Sequence, residues 1–186
     1  MQEDIKQAID IMKNGGIILY PTDTIWGIGC DATNPNAVSK IYQLKQRAET
    51  KSMLILLGDV NDIGKYVKHV PNVAYNLINL AVKPLTIIFD NAINLAPNLI
   101  NSDKSIGIRI TTENFSKELC TKFKLPIVST SANISGKPTP QIFDEIEEDI
   151  INNVDYVVKF RQKDYSKSNP SNIIKISKNG EFKILR

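Results

Sequence analysis

The chain has 186 residues, 42% of them hydrophobic and 23% charged, and a formal charge of +3; this is the make-up of an ordinary soluble domain with a sizeable core, and the charge is too small to argue for nucleic acid by itself. No apolar run reaches membrane-spanning length, and the acidic start Met1-Gln2-Glu3-Asp4 shows no targeting peptide, so a cytoplasmic protein with no membrane role is expected. Two cysteines without a CxxC or Cys/His cluster, Cys30 and Cys120, read as free thiols, and the single histidine, His69, reads as a surface residue; most catalytic triads and multi-histidine metal sites are thereby excluded.

Ile5, Ile9 and Met12 recur at helical spacing, and Asn14-Gly15-Gly16 supplies the stop. Ile17 to Tyr20 reads as a buried strand closed by Pro21. Asn34-Pro35 predicts a helix start, with Val38, Ile41, Tyr42 and Leu44 on its buried face. Met53 to Leu57 is a strand, and helices are predicted over Val60 to Val67 and Asn72 to Leu80. Strands follow at Thr86 to Phe89 and Ile106 to Ile110, then a helix with Phe115, Leu119 and Phe123 on one face. Thr139-Pro140 predicts a further helix with acidic residues outward, Tyr156 to Lys159 a strand, and Phe160 to Asn169 a polar loop. Asn179-Gly180 between alternating strands predicts a type I′ hairpin over Ile173 to Leu185. The expected class is α/β, a twisted mixed β-sheet flanked by helices, in one domain spanning 1–186.

One stretch stands apart. Pro126-Ile127-Val128-Ser129-Thr130-Ser131-Ala132-Asn133-Ile134-Ser135-Gly136 begins as an apolar strand and breaks into small hydroxyl and amide residues. Such residues bond nearby backbone and favour turns, which places short donors and acceptors at a strand end, where α/β sheets bind ligands. An ordinary capped turn is the alternative. Phosphate loops, GxGxxG, GxSxG and HExxH are all missing. Scattered cations take their place. Lys45, Arg47 and Lys51 lie at a helix-to-strand junction, where a solvated helix end is the plain reading. Arg109 lies within Ile106-Gly107-Ile108-Arg109-Ile110, too apolar to leave a charge unpaired. It either pairs with a core carboxylate such as Asp23 or Asp31, or anchors a ligand carboxylate or phosphate.

Pro21-Thr22-Asp23-Thr24-Ile25-Trp26-Gly27 resembles a signature of the YrdC-like family, the threonylcarbamoyl-AMP synthases. Lys45-Gln46-Arg47 resembles its K-x-R element, Pro84-Leu85-Thr86 part of its PGPxT segment, and Gly107-Ile108-Arg109 its G-[IV]-R strand. Ser131-Ala132-Asn133-Ile134-Ser135-Gly136 is similar to its SAN-x-SG loop, and Pro170-Ser171-Asn172 to its PS-[TN] element. These motifs occur in the family's order. Ala81-Val82-Lys83-Pro84 departs from the family's usual Trp-Pro-Gly-Pro.

The resemblance implies a YrdC-like fold with a concave basic groove and a nucleotidyltransferase reaction. L-threonine, bicarbonate and ATP, with Mg2+ on the triphosphate, would give threonylcarbamoyl-AMP and pyrophosphate. Downstream proteins would carry the threonylcarbamoyl group to tRNA, and the chain would be a monomer or homodimer. By the same resemblance, Lys45, Arg47, Lys51, Asn133 and Arg186 would bind ATP. Thr22, Thr24, Arg109, Ser131 and Ser171 would bind threonine, with Asp23 shaping its loop rather than acting as a base. The alternative is a non-catalytic RNA-binding relative that uses the same groove. A third reading, a carbamoyl-transfer module of hydrogenase maturation, would call for zinc-finger and acylphosphatase-like segments that this sequence lacks.

Overall fold

The computed structural model describes residues 1–48, 53–168 and 170–186. Helix α1 (Gln2–Lys13) buries Ile5, Ala8 and Met12 along one face and stops at Asn14. Strands β1 (Ile18–Tyr20) and β2 (Gly27–Gly29) follow, joined by residues 21–26. Helix α2 (Pro35–Leu44) is capped by the Asn34 side chain, which accepts from the backbone N–H groups of Asn36 and Ala37. Next come β3 (Leu54–Leu57), α3 (Asn72–Leu80), β4 (Leu85–Phe89), β5 (Ile106–Ile110), α4 (Asn114–Phe123) and β6 (Ile127–Ser131). The chain finishes with α5 (Glu148–Asn152), β7 (Tyr156–Val157), β8 (Asn172–Ile176) and β9 (Phe182–Ile184).

Among the described residues nine strands form one sheet in the order β7-β1-β2-β6-β3-β5-β4-β8-β9. Three pairs are parallel (β1 with β7, β3 with β5, β4 with β8) and the other five antiparallel, so the sheet is mixed. Helices α1 and α4 pack against each other on the sheet and close the core over Tyr20, Phe89 and Phe115. Gly29 is a close-approach position. A Cβ there would lie 2.6 Å from the Tyr20 ring and 2.7 Å from the Val128 carbonyl.

Four local expectations need correcting. The segment after β3 is a 3-10 helix over Val60–Lys65, set off by the Asp59 side chain accepting from the Asn61 N–H. It buries only Ile63, too narrow a stripe to fix an α-helix. No helix begins at Thr139. The Glu145 carboxylate accepts from the Gln141 N–H and closes a single 3-10 turn, Phe143–Glu145, whose Phe143 ring packs on Trp26. Strand β7 ends at Val157 because Asp4 of α1 takes the Lys159 N–H together with the Tyr156 hydroxyl. Finally, the β8–β9 hairpin is not type I′. Gly180 alone is left-handed there (φ +86°), and Ser177 pairs with Glu181 around a three-residue loop.

Candidate functional site

The central strands deliver side chains to one face of the sheet. Strand alternation sends Ile106, Ile108 and Ile110 to one side of β5, and Gly107 and Arg109 to the other. Arg109 is opposite Thr86 of β4 and Leu56 of β3. The Thr86 hydroxyl meets the Ser171 hydroxyl at 2.9 Å, at the start of β8. Arg186 folds back from beyond β9, donating through Nε to the Ser171 carbonyl at 3.1 Å. From the other flank, the 21–26 loop is set by Thr22. Its hydroxyl donates to the Ile25 carbonyl at 2.7 Å, accepts from the Thr24 N–H, and lies 3.1 Å from the Thr24 hydroxyl.

These elements enclose a cavity of about 250 Å³. Of the residues singled out in the sequence, Thr22, Thr24, Arg47, Arg109, Ser131, Ser171 and Arg186 line it. Segments more than 160 residues apart thus meet at one hollow, with three arginines and, among the described residues, no carboxylate in its lining. Lys51 lies outside the described residues.

Lys45 and Asn133 stand behind the wall, where they build it. Lys45 is 1% exposed. Its Nζ donates to the Ser131 carbonyl, to the Asn133 carbonyl at 2.6 Å and to Asn133 Oδ1 at 3.4 Å. Its own carbonyl accepts from the Ser135 N–H. The ammonium therefore spends its three protons on the loop after β6. Burial, reinforced by the neighbouring Arg47 charge, pulls its pKa down to about 7. Asn133 accepts from the Ser131 hydroxyl at 2.5 Å and donates to the Lys137 carbonyl at 2.7 Å. The solvated helix end that spacing suggests for Lys45 is overturned; the half-buried Arg47 does reach the cavity, its pKa lowered chiefly by burial.

Of its two sequence-derived alternatives, Arg109 takes the first, the pair with a core carboxylate. Its Nε lies 3.2 Å from Asp23, each side chain 5% exposed, and its Nη1 donates to the Thr24 hydroxyl at 3.3 Å. The Asp23 contact is ionic only: Nε and both carboxylate oxygens lack a hydrogen bond to another residue. Burial pushes the Asp23 carboxyl above its ordinary range, with the Arg109 charge opposing. Yet Arg109 also lines the cavity. Asp31 instead accepts from Thr33.

Sequence reasoning missed Trp26, Met53, Leu54 and Thr139 in the lining, whereas Ser129 and Thr130 come from the small polar stretch it singled out. Thr139 carried a readable signal, since the prolines on both sides of it force extended backbone next to the loop. Arg161 was also missed. It reaches across from the 160s to the Thr22 carbonyl at 3.4 Å while pairing with Glu113 and Asp164.

The Sua5/YciO/YrdC family model, described as Telomere recombination, matches residues 10–186. A Methanocaldococcus jannaschii protein is 39% identical over 180 residues, covering 94% of this chain and 83% of that relative, and is provisionally named threonylcarbamoyl-AMP synthase. The threonylcarbamoyl-AMP synthase of Cellvibrio japonicus is 32% identical over 144 residues, 76% of each chain. The crystal structure of P. abyssi Sua5 complexed with L-threonine superposes with a TM-score of 0.83 at 23% identity over 95% of this chain. This chain spans about half (52%) of that Sua5. The match over residues 10–186 and the level of identity together settle the relationship: the chain belongs to the Sua5/YciO/YrdC family.

Proposed function

We propose that this protein is a threonylcarbamoyl-AMP synthase, converting L-threonine, bicarbonate and ATP to threonylcarbamoyl-AMP, pyrophosphate and water for tRNA modification. The observation that carries the proposal is the convergence of Arg47, Arg109 and Arg186 with Thr22, Thr24, Ser131 and Ser171 on one cavity. Relatives named for this activity supply the reaction, and none of the names gives support to the RNA-binding alternative. P. abyssi Sua5, which shares the fold, takes L-threonine.

In this reading the amine of threonine attacks the carbon of bicarbonate, water departs, and a carbamate forms. A carbamate oxygen then attacks the α-phosphorus of ATP, and the bond to the β-phosphate breaks to release pyrophosphate. Both steps bring anions together, so they need positioning and charge neutralisation more than an enzyme nucleophile. Arg109 holds the threonine carboxylate, while Thr22, Thr24, Ser131 and Ser171 enclose the amino acid. Arg47, Lys51 and Arg186 face the phosphates. Lys45 and Asn133 act on the nucleotide side by fixing the loop that borders it. Magnesium would accompany the triphosphate as part of the ATP substrate. Any step in which it shares belongs to the substrate complex.

The test is release of pyrophosphate from ATP, bicarbonate and magnesium, with and without L-threonine. Threonine-dependent release is expected. Release that ignores threonine, or none at all, would overturn the proposal.

A further inference from the structure

Asp23 keeps a charge where it is hardest to keep. Its side chain is 5% exposed, neither oxygen takes a hydrogen bond from another residue, and its contact with Arg109 is an ion pair through Nε alone. A buried pair of this kind recovers its desolvation poorly, and an apolar pair would stabilise the fold as well or better. Stability therefore does not account for it, whereas its placement does. The guanidinium comes from the middle of β5, and two successive residues of the 21–26 loop hold two of its edges: Asp23 at Nε and Thr24 at Nη1. The Thr24 hydroxyl is itself steadied by Thr22. The guanidinium plane is thus fixed, and its charge partly offset, before any substrate arrives.

We propose that Asp23 is a positioning residue for the amino-acid substrate, orienting Arg109 so that its guanidinium accepts one carboxylate in one geometry. This rests on the functional reading above, in which Arg109 takes the threonine carboxylate. A planar fork is specific only when its plane is held, because bidentate pairing fails once the fork rotates. The other titratable groups that act on Asp23 are Arg109 and, more weakly, Glu113; the buried Tyr20 and Cys120 also sense its charge.

The experiment is a double-mutant cycle read by calorimetry, titrating L-threonine and ATP separately into the parent chain, Asp23→Asn, Arg109→Lys and the double variant. Asp23→Asn should weaken threonine binding about tenfold and leave ATP within about twofold; in the Arg109→Lys background the same change should move threonine by less than about twofold. Unchanged threonine binding in Asp23→Asn, or an equal loss in both backgrounds, overturns the role given to Asp23. Should Asp23→Asn not fold, Asp23→Glu keeps the charge but displaces it by one methylene. It should also lose threonine selectively, and parental affinity would overturn the proposal. A parent protein that binds ATP but not threonine overturns instead the functional reading on which the proposal stands.

Discussion

Among the described residues two cations are buried beside the cavity, and the fold treats them differently. Lys45, 1% exposed, is surrounded by oxygen acceptors of the Ser131–Asn133 loop and is fully hydrogen-bonded. Arg109, 4% exposed, faces a carboxylate it does not hydrogen-bond and a threonine hydroxyl, and it opens onto the cavity. A buried charge whose donors are all used is structural, because a ligand would have to displace existing bonds. A buried charge with donors left over is poised for a ligand. The difference lies in who completes the coordination, the chain itself for Lys45 and, in the function proposed above, the substrate for Arg109.

Removing Lys45 should have the larger effect on the fold. Lys45→Met strands the carbonyls of Ser131 and Asn133 in the interior, which costs about 3 kcal/mol and lowers the melting temperature by roughly 6–12 °C. A calorimetric melt within 2 °C of the parent, on the order of error, would erase the contrast. Arg109→Ala should act chiefly on the substrate. Losing a charge-assisted contact to substrate should cut kcat/KM for threonine by roughly 10–150-fold, with the KM for ATP within about threefold. Its melting temperature should fall as well, because Asp23 is left buried without its cation, so the loss confined to threonine is what separates it from Lys45→Met. Equal losses for the two substrates would break the assignment of Arg109 to threonine.

The smallest expected effect is on the pH dependence of stability. The Lys45 pKa falls from 10.5 unfolded to about 7 folded. Between those values the unfolded chain binds the extra proton, so stability is least below the folded value and rises with pH above it. From pH ~7 to ~8.5 the rise should approach, without exceeding, about 2 kcal/mol. Above that range the buried thiols of Cys30 and Cys120, raised by burial, pull stability down again. Denaturation midpoints across this window should climb for the parent and stay flat for Lys45→Met; a parallel climb in both would refute the assignment to Lys45.

Much of this was legible in local sequence. The Asn34-Pro35 cap, the helical spacing of Phe115, Leu119 and Phe123, and the alternation around Arg109 each depend on neighbours a few residues away. The failures share a cause. The 139–145 segment and the end of β7 were settled by Glu145 and Asp4 competing for backbone donors, and the Asn179-Gly180 turn by a bulge rather than a two-residue loop. Side-chain competition of this kind cannot be read from periodicity.

The sequence by itself determined most of the helices and strands, the mixed α/β class, and the family through its ordered short motifs, because periodicity and turn chemistry are local properties. Only the tertiary structure decided which of two buried cations holds a loop and which opens onto the cavity. That depends on which acceptors lie within about 3 Å of each nitrogen, a fact fixed by strand order and packing between residues as far apart as Thr22 and Arg186.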